Sequence, residues 1–120
     1  MEHDFRFFFS YFRNKKQYVE VSLWDVHPTT FAKWRCGRWA YFLAGWESPK
    51  SGRFGEIHFV KKSLRFDTIG HELDHVRTEW MWANGITITR KNEERMATLF
   101  DQMIRNFLRE LRKAEPRIKL

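Results

Sequence analysis

The first clear pattern from the N-terminus is the alternation through Tyr18-Val19-Glu20-Val21-Ser22-Leu23-Trp24, which predicts a strand. His27-Pro28-Thr29-Thr30 has the character of a helix start. The stretch from Phe31 to Gly45 fits either a helix, weakened by Gly37, or a pair of short strands. Glu47-Ser48-Pro49-Lys50-Ser51-Gly52 marks a turn, and Phe54-Gly55-Glu56-Ile57-His58-Phe59-Val60 predicts a second strand. The period then changes. Ile69, Leu73, Val76 and Trp80 recur at i, i+4, i+7 and i+11, the apolar stripe of a helix. That helix starts at Asp67 or Thr68, runs to about Ala83 and is closed by Asn84-Gly85. A short extended piece, Ile86-Thr87-Ile88-Thr89, leads to Asn92, a favourable N-cap. A second helix runs from Glu93 to about Lys113 and is ended by Pro116. Strands first and helices afterwards predict an α+β fold: a short N-terminal sheet, then two helices, in one domain of 120 residues.

Composition narrows the class. A hydrophobic fraction of 42% and an aromatic fraction of 18% supply a core and exclude a disordered chain. The single cysteine, Cys36, cannot make an internal disulfide, which suits a reducing compartment. No run nears the ~20 apolar residues that span a bilayer. The apolar stretch Phe5-Arg6-Phe7-Phe8-Phe9-Ser10-Tyr11-Phe12 makes a poor signal peptide, because Glu2 and Asp4 lead it and Arg6 interrupts it. The chain reads as cytoplasmic, without a membrane partner.

The formal charge of +7 can attract nucleic acid, acidic protein segments or anionic lipid. Residues 102–120 carry six basic and two acidic side chains, a net of +4. That equals the whole excess of residues 61–120, with 13 basic and 9 acidic. A basic helical end answers the helix dipole, which is the plainer reading. Nucleic-acid binding through Arg105, Arg109, Arg112, Lys113, Arg117 and Lys119 is the lesser one, since the aromatic interleaving of a single-strand binder is missing.

The chemistry is carried by His71-Glu72-Leu73-Asp74-His75. Two histidines at i and i+4 project from one helix face, close enough for both imidazoles to reach one zinc ion. Glu72, one position on, is placed to act on a water rather than on the metal, as a general base. With five His and ten Glu in 120 residues, the motif arises by chance with a frequency of roughly 0.02. At ~100° per residue, His71, Glu72 and His75 lie roughly opposite the apolar stripe, so the helix is apolar toward the core and chemical on its other face.

A catalytic zinc site needs a third protein ligand and an open position. No histidine follows His75, so the natural candidates are acidic residues of the second helix. The stripe of that helix is Met96, Leu99, Phe100, Met103, Ile104, Phe107 and Leu111. Glu93 projects near its middle and Glu94 at its edge. A carboxylate on a core-facing line is costly unless compensated, which favours Glu93 as the ligand. The plainer reading makes both first-turn acids that answer the helix dipole. Glu79, at i+4 from His75, is a further rival.

The combination resembles the gluzincins: His71-Glu72-x-x-His75, a turn, then a helix opening Asn92-Glu93-Glu94-Arg95-Met96-Ala97. It is most similar to the small zinc metallopeptidases encoded by phages and mobile elements, with the immunity-repressor-cleaving enzymes as better-known relatives. The resemblance covers about residues 54–108. It implies a peptidase acting on a protein or peptide substrate, with zinc as cofactor; the runner-up is a non-catalytic zinc-containing structural or regulatory domain, on a phage-type assembly or bound to nucleic acid. It also implies that a strand before the active-site helix forms the upper rim of the cleft and pairs with extended substrate, a place that Phe54–Phe59 would take. In the immunity-type relatives an Ala stands three residues after the ligand Glu, so Ala97 nominates Glu94, whereas periodicity nominates Glu93. Residues 1–53 carry no such resemblance, and most of their aromatic side chains read as core.

Overall fold

The computed structural model describes residues 4–8, 17–25, 40–47 and 49–120. Four strands, β1 (Phe5–Phe8), β2 (Tyr18–Trp24), β3 (Ala40–Ala44) and β4 (Arg53–Val60), precede two helices, α1 (Phe66–Ala83) and α2 (Glu93–Ala114). The fold is α+β, in the order that the hydrophobic pattern predicts. Of the stretch from Phe31 to Gly45, Ala40–Ala44 is a strand; residues 26–39, with the expected helix start at His27–Thr30, lie outside the described residues.

The sheet has the order β1-β2-β4-β3. β2 and β4 pair in parallel in its middle, and β1 and β3 lie antiparallel to them on the two sides. The first part of the signal-like stretch is therefore an ordinary strand. Phe5 and Phe7 are buried while Arg6 and Phe8 are exposed, the period of two that a half-covered strand requires.

One sheet face and the two helix stripes form the main core, in which Phe7, Val19, Val21, Ile57 and Phe59 meet Leu73 and Val76 of α1 and Met103 and Phe107 of α2. Phe107 organises it. Its ring takes edge-on contacts from Phe5 at 5.5 Å, Phe7 at 5.6 Å and Phe59 at 5.7 Å, tying α2 to β1 and β4. Full burial of such a side chain stabilises by about 1.5–3 kcal/mol.

The helix ends follow local chemistry. Gly85 adopts φ +63°, the left-handed conformation that ends a helix without steric cost, and the Asn84 side chain donates to the Trp80 carbonyl at 2.8 Å. Asn92 precedes α2 as expected but makes no side-chain cap hydrogen bond. Its amide instead fastens the connection, accepting from the Thr89 N–H at 2.8 Å and donating to the Thr87 carbonyl at 2.9 Å. Across the helix pair, the Arg77 guanidinium sits 4.5 Å from the centre of the Phe100 ring.

The second face of the sheet is buried as well, and it is polar. Glu20, Ser22 and His58 are buried there beside Tyr41 and Val60. Glu20 accepts from Lys50 at 2.7 Å and Arg53 at 3.3 Å, and Arg53 also reaches Glu56 at 3.0 Å. The Trp24 indole donates to His58 Nδ1 at 3.0 Å, which leaves Nε2 facing Glu56 at 3.6 Å. Tyr41 stacks on His58 at 4.7 Å. Among the described residues no helix is long and apolar enough to cross a membrane.

Candidate metal centre

α1 positions the two-histidine motif. Its buried residues are Ile69, Glu72, Leu73, Val76, Trp80 and Met81, so the predicted stripe is the core face of the helix. His71 and His75, one turn apart, are exposed, and their Nε2 atoms lie 3.2 Å from each other with the rings nearly perpendicular at 79°. Two zinc–nitrogen bonds of ~2.0–2.1 Å at a tetrahedral angle place their nitrogens roughly 3.3 Å apart. The pair therefore fits two corners of a zinc tetrahedron with almost no adjustment. The same spacing suits a single N–H···N bond, but at an exposed position such a bond competes with water and gains little.

Glu72 does not share the exposure of the histidines. It is 4% exposed, with Oε2 at 4.0 Å from His71 Nε2. The expectation that it lies opposite the stripe is corrected here: at ~100° from His71 it stands between the histidine line and the apolar stripe, where the body of the protein covers it. A carboxylate there is shielded from bulk water yet reaches the space beside the imidazoles.

That space is a cleft of about 830 Å³, bounded by His71, Glu72, His75, Asp67 and Thr68 of α1 on one side and by Ala40, Tyr41 and Phe42 of β3 on the other. The strand that lines the cleft is thus β3, and Phe54–Phe59, expected there by resemblance, lies inside the sheet. β4 is hydrogen-bonded to β2 on one side and β3 on the other, so it has no edge to offer, whereas β3 closes the sheet beside α1. Gly55 of β4 has a part in this. A Cβ there would lie 2.4 Å from the Phe42 ring, so the absence of a side chain lets Phe42 lie across the sheet at the cleft wall.

The outward edge of β3 can be read from its pairing. The Gly45 N–H donates to the Phe54 carbonyl at 2.7 Å, so by antiparallel alternation Leu43 and Tyr41 also bond to β4. Ala40, Phe42 and Ala44 then turn their backbone groups outward. Those of Ala44 are taken by Glu47, whose carboxylate accepts the Ala44 N–H at 2.9 Å and whose own N–H donates to the Ala44 carbonyl at 3.0 Å. Ala40 and Phe42 line the cleft.

The acids expected as third ligand are not brought to the pair. Glu93 and Glu94 are both exposed in the first turn of α2, so the burial argument that singled out Glu93 fails. The stripe starts with Met96, and Glu93, one turn earlier, projects past the end of the core. Glu79 is held elsewhere, accepting from the Trp46 indole at 2.9 Å. Helix rise also excludes it, since it lies about 9 Å along the axis from the midpoint of the histidines. Among the described residues no three His, Cys, Asp or Glu side chains cluster as a metal site. His3, His27 and Cys36 lie outside those residues.

His58 belongs to the buried network of the second sheet face and not to the cleft wall. It donates to Glu56 and, as the largest cause, holds that carboxyl below its ordinary value of 4.5; the Arg53 charge adds to this and burial opposes it. Arg105, Arg109, Arg112 and Lys113 are exposed along α2, and Lys113 is 3.3 Å from Glu110. The cleft-lining strand β3 is the element that the hydrophobic pattern missed as a site component, because its sequence, Ala-Tyr-Phe-Leu-Ala, carries no chemical signature. Comparison with protein-family models, curated proteins and solved structures finds no match to this chain.

Proposed function

We propose that the chain is a small gluzincin-type zinc metallopeptidase, of the kind encoded by phages and mobile elements, acting on protein or peptide substrates in a reducing, cytoplasmic setting. The observation that carries the reading is the pair of imidazole Nε2 atoms 3.2 Å apart beside a buried Glu72 in an open cleft. In this reading His71 and His75 hold the zinc ion. When bound, zinc supplies Lewis acidity, making a water acidic near neutral pH and polarising a carbonyl.

The protein's own groups do the rest. Glu72 takes a proton from the attacking water and returns it to the departing amine nitrogen, so the peptide C–N bond breaks while the new C–O bond forms. The burial of Glu72 suits it to this, since few waters compete for the carboxylate. An extended substrate is held by the outward backbone groups of Ala40 and Phe42, adding a strand on the side of β3 away from β4, where no strand pairs among the described residues. The third donor is left to a test of Glu93, whose nomination rests on sequence alone.

Zinc-loaded protein is to be incubated with a peptide mixture prepared by digesting a proteome, and the new termini read by mass spectrometry. The parent is expected to cut. Glu72→Gln is expected to lose at least about a hundredfold in rate with zinc affinity retained. Equal rates in the two proteins, or a parent with no activity at all, overturns the proposal.

A further inference from the structure

The outer face of α2 carries a line of arginines that the fold does not use. The buried residues of the helix, Met96, Leu99, Met103, Phe107 and Leu111, centre on the direction of Met96. Measured from that direction at ~100° per residue, Arg105 stands at about 180°, Arg112 at about 160° and Arg109 at about 220°. All three are exposed, so the line points away from the core. Helix rise spaces Arg109 about 6 Å from Arg105 along the axis, and Arg112 about 4.5 Å further on.

Neither acidic neighbours nor the helix dipole accounts for these charges. Residues 102–120 hold two acids, and both are engaged elsewhere: Glu110 pairs with Lys113 at 3.3 Å and Glu115 with Lys61 at 2.8 Å. Among the described residues Arg105, Arg109 and Arg112 form no ion pair. The dipole acts on the last turn of a helix, where Arg112 and Lys113 lie, and does not reach Arg105, nine residues before Ala114. Like charges at i and i+4, as at Arg105 and Arg109, destabilise a helix. The line therefore gains nothing for the fold, and an anion that spans it relieves the repulsion. Arg117 and Lys119 raise the positive charge at the same end of α2, exposed on either side of Ile118, which packs on the core.

The surroundings select the anion. Guanidinium forks match phosphate oxygens in pairs. A helix that binds a membrane surface needs an open apolar face beside its basic one. Here the apolar line of α2 is at most 2% exposed, and none of the exposed large apolar side chains among the described residues belongs to this helix. A protein partner lacks an apolar centre to bury for the same reason. Single-strand binders stack bases on aromatic rings. The aromatic residues of α2 are Phe107, in the core, and Phe100, under Arg77. The deep, narrow major groove of A-form RNA excludes side chains, whereas that of B-form DNA, about 12 Å wide, admits a helix.

We propose that the outer face of α2 binds double-stranded DNA through its phosphates, with Arg105, Arg109 and Arg112 making the contacts. α2 packs beside β1, whereas α1 and the cleft lie beside β3 at the other side of the sheet, so bound DNA leaves the histidine pair open. The site is independent of the peptidase reading.

Fluorescence anisotropy of a labelled duplex of about twenty base pairs is to be followed with the full-length protein between about 50 and 200 mM salt. With about three phosphates engaged, affinity is expected to fall about fortyfold over that range. Arg105→Gln combined with Arg109→Gln is expected to weaken binding at least about tenfold at the lower salt and to flatten the salt dependence by about two phosphates. Arg90→Gln combined with Lys91→Gln removes the same charge from the exposed connection before α2, and is expected to change affinity less than about twofold. Equal losses in the two variants make binding a property of net charge and overturn the site, as does a parent that does not bind at the lower salt. Competition completes the test, with vesicles of phosphatidylcholine and phosphatidylserine and with a single-stranded oligonucleotide of the same length. Displacement of the labelled duplex by either, at a lower concentration of charge than unlabelled duplex requires, overturns the assignment to double-stranded DNA.

Discussion

Two regions of this protein concentrate the same kinds of side chain and use them in opposite ways. On the second face of the sheet, His58, Glu56, Glu20, Arg53 and Trp24 are joined by hydrogen bonds and ion pairs and largely removed from water. On α1, His71 and His75 are exposed with their nitrogens converging on one point, and only Glu72 is buried. In the first region each charge neighbours its opposite, so the network fixes strand to strand. In the second the imidazoles face a cleft and hold little of the fold together. A histidine beside a glutamate is thus structural or chemical according to where its free valence points.

Arg53→Ala has the largest expected effect on stability. It withdraws the cation that Glu20 and Glu56 share; Lys50 still pairs with Glu20, so the loss is expected at or below the about 3–5 kcal/mol that breaking a buried pair costs. Denaturant unfolding measures the loss, and zinc affinity should stay within about twofold of the parent at temperatures where the variant is folded. A loss under about 1 kcal/mol, or a tenfold loss of zinc, means that the two regions are not separate in this way. His71→Ala gives the converse. It should leave unfolding within about 0.5 kcal/mol of the parent, as for an ordinary surface change.

The pH dependence of stability follows from Glu56. Its carboxyl is held below 4.5 in the folded protein, chiefly by the hydrogen bond with His58, so the native state binds fewer protons than the unfolded chain near that pH. The stabilisation is present above 4.5 and is lost as pH falls through the lower folded value. Glu56→Gln should therefore be less stable than the parent at pH 7, with a gap that closes in acid. A gap that widens below pH 4.5 contradicts the sign.

The smallest effect is expected at α2. Glu93 is exposed and apart from the histidines, so Glu93→Gln should change zinc affinity by no more than about twofold. A fall of an order of magnitude in titration calorimetry means that the first turn of α2 closes on the metal, and that the periodicity argument for Glu93 was sound.

Much of the fold was legible because its signals are local. The stripe from Ile69 to Trp80, the Asn84-Gly85 stop and the alternation around Val19 and Val21 each need only a few neighbouring residues. The histidine pair was legible for the same reason, since i,i+4 spacing on a helix dictates convergence. What failed depends on partners distant in sequence. β3 lines the cleft in place of Phe54–Phe59 because strand order, invisible in a chain of residues, placed β4 in the interior. Glu93 projects past the core because the buried stripe of α2 starts only at Met96. Phe5 and Phe7 alternate as a strand does, but Phe8 on the outer side hid the period.

Zinc content after exhaustive dialysis tests the metal site most directly. The parent should retain about one zinc per chain, the number that one two-histidine motif can hold. His71→Ala and His75→Ala, each confirmed to be folded, should retain almost none. Full retention in both variants, or no zinc in the parent after loading, contradicts a metal centre at this pair.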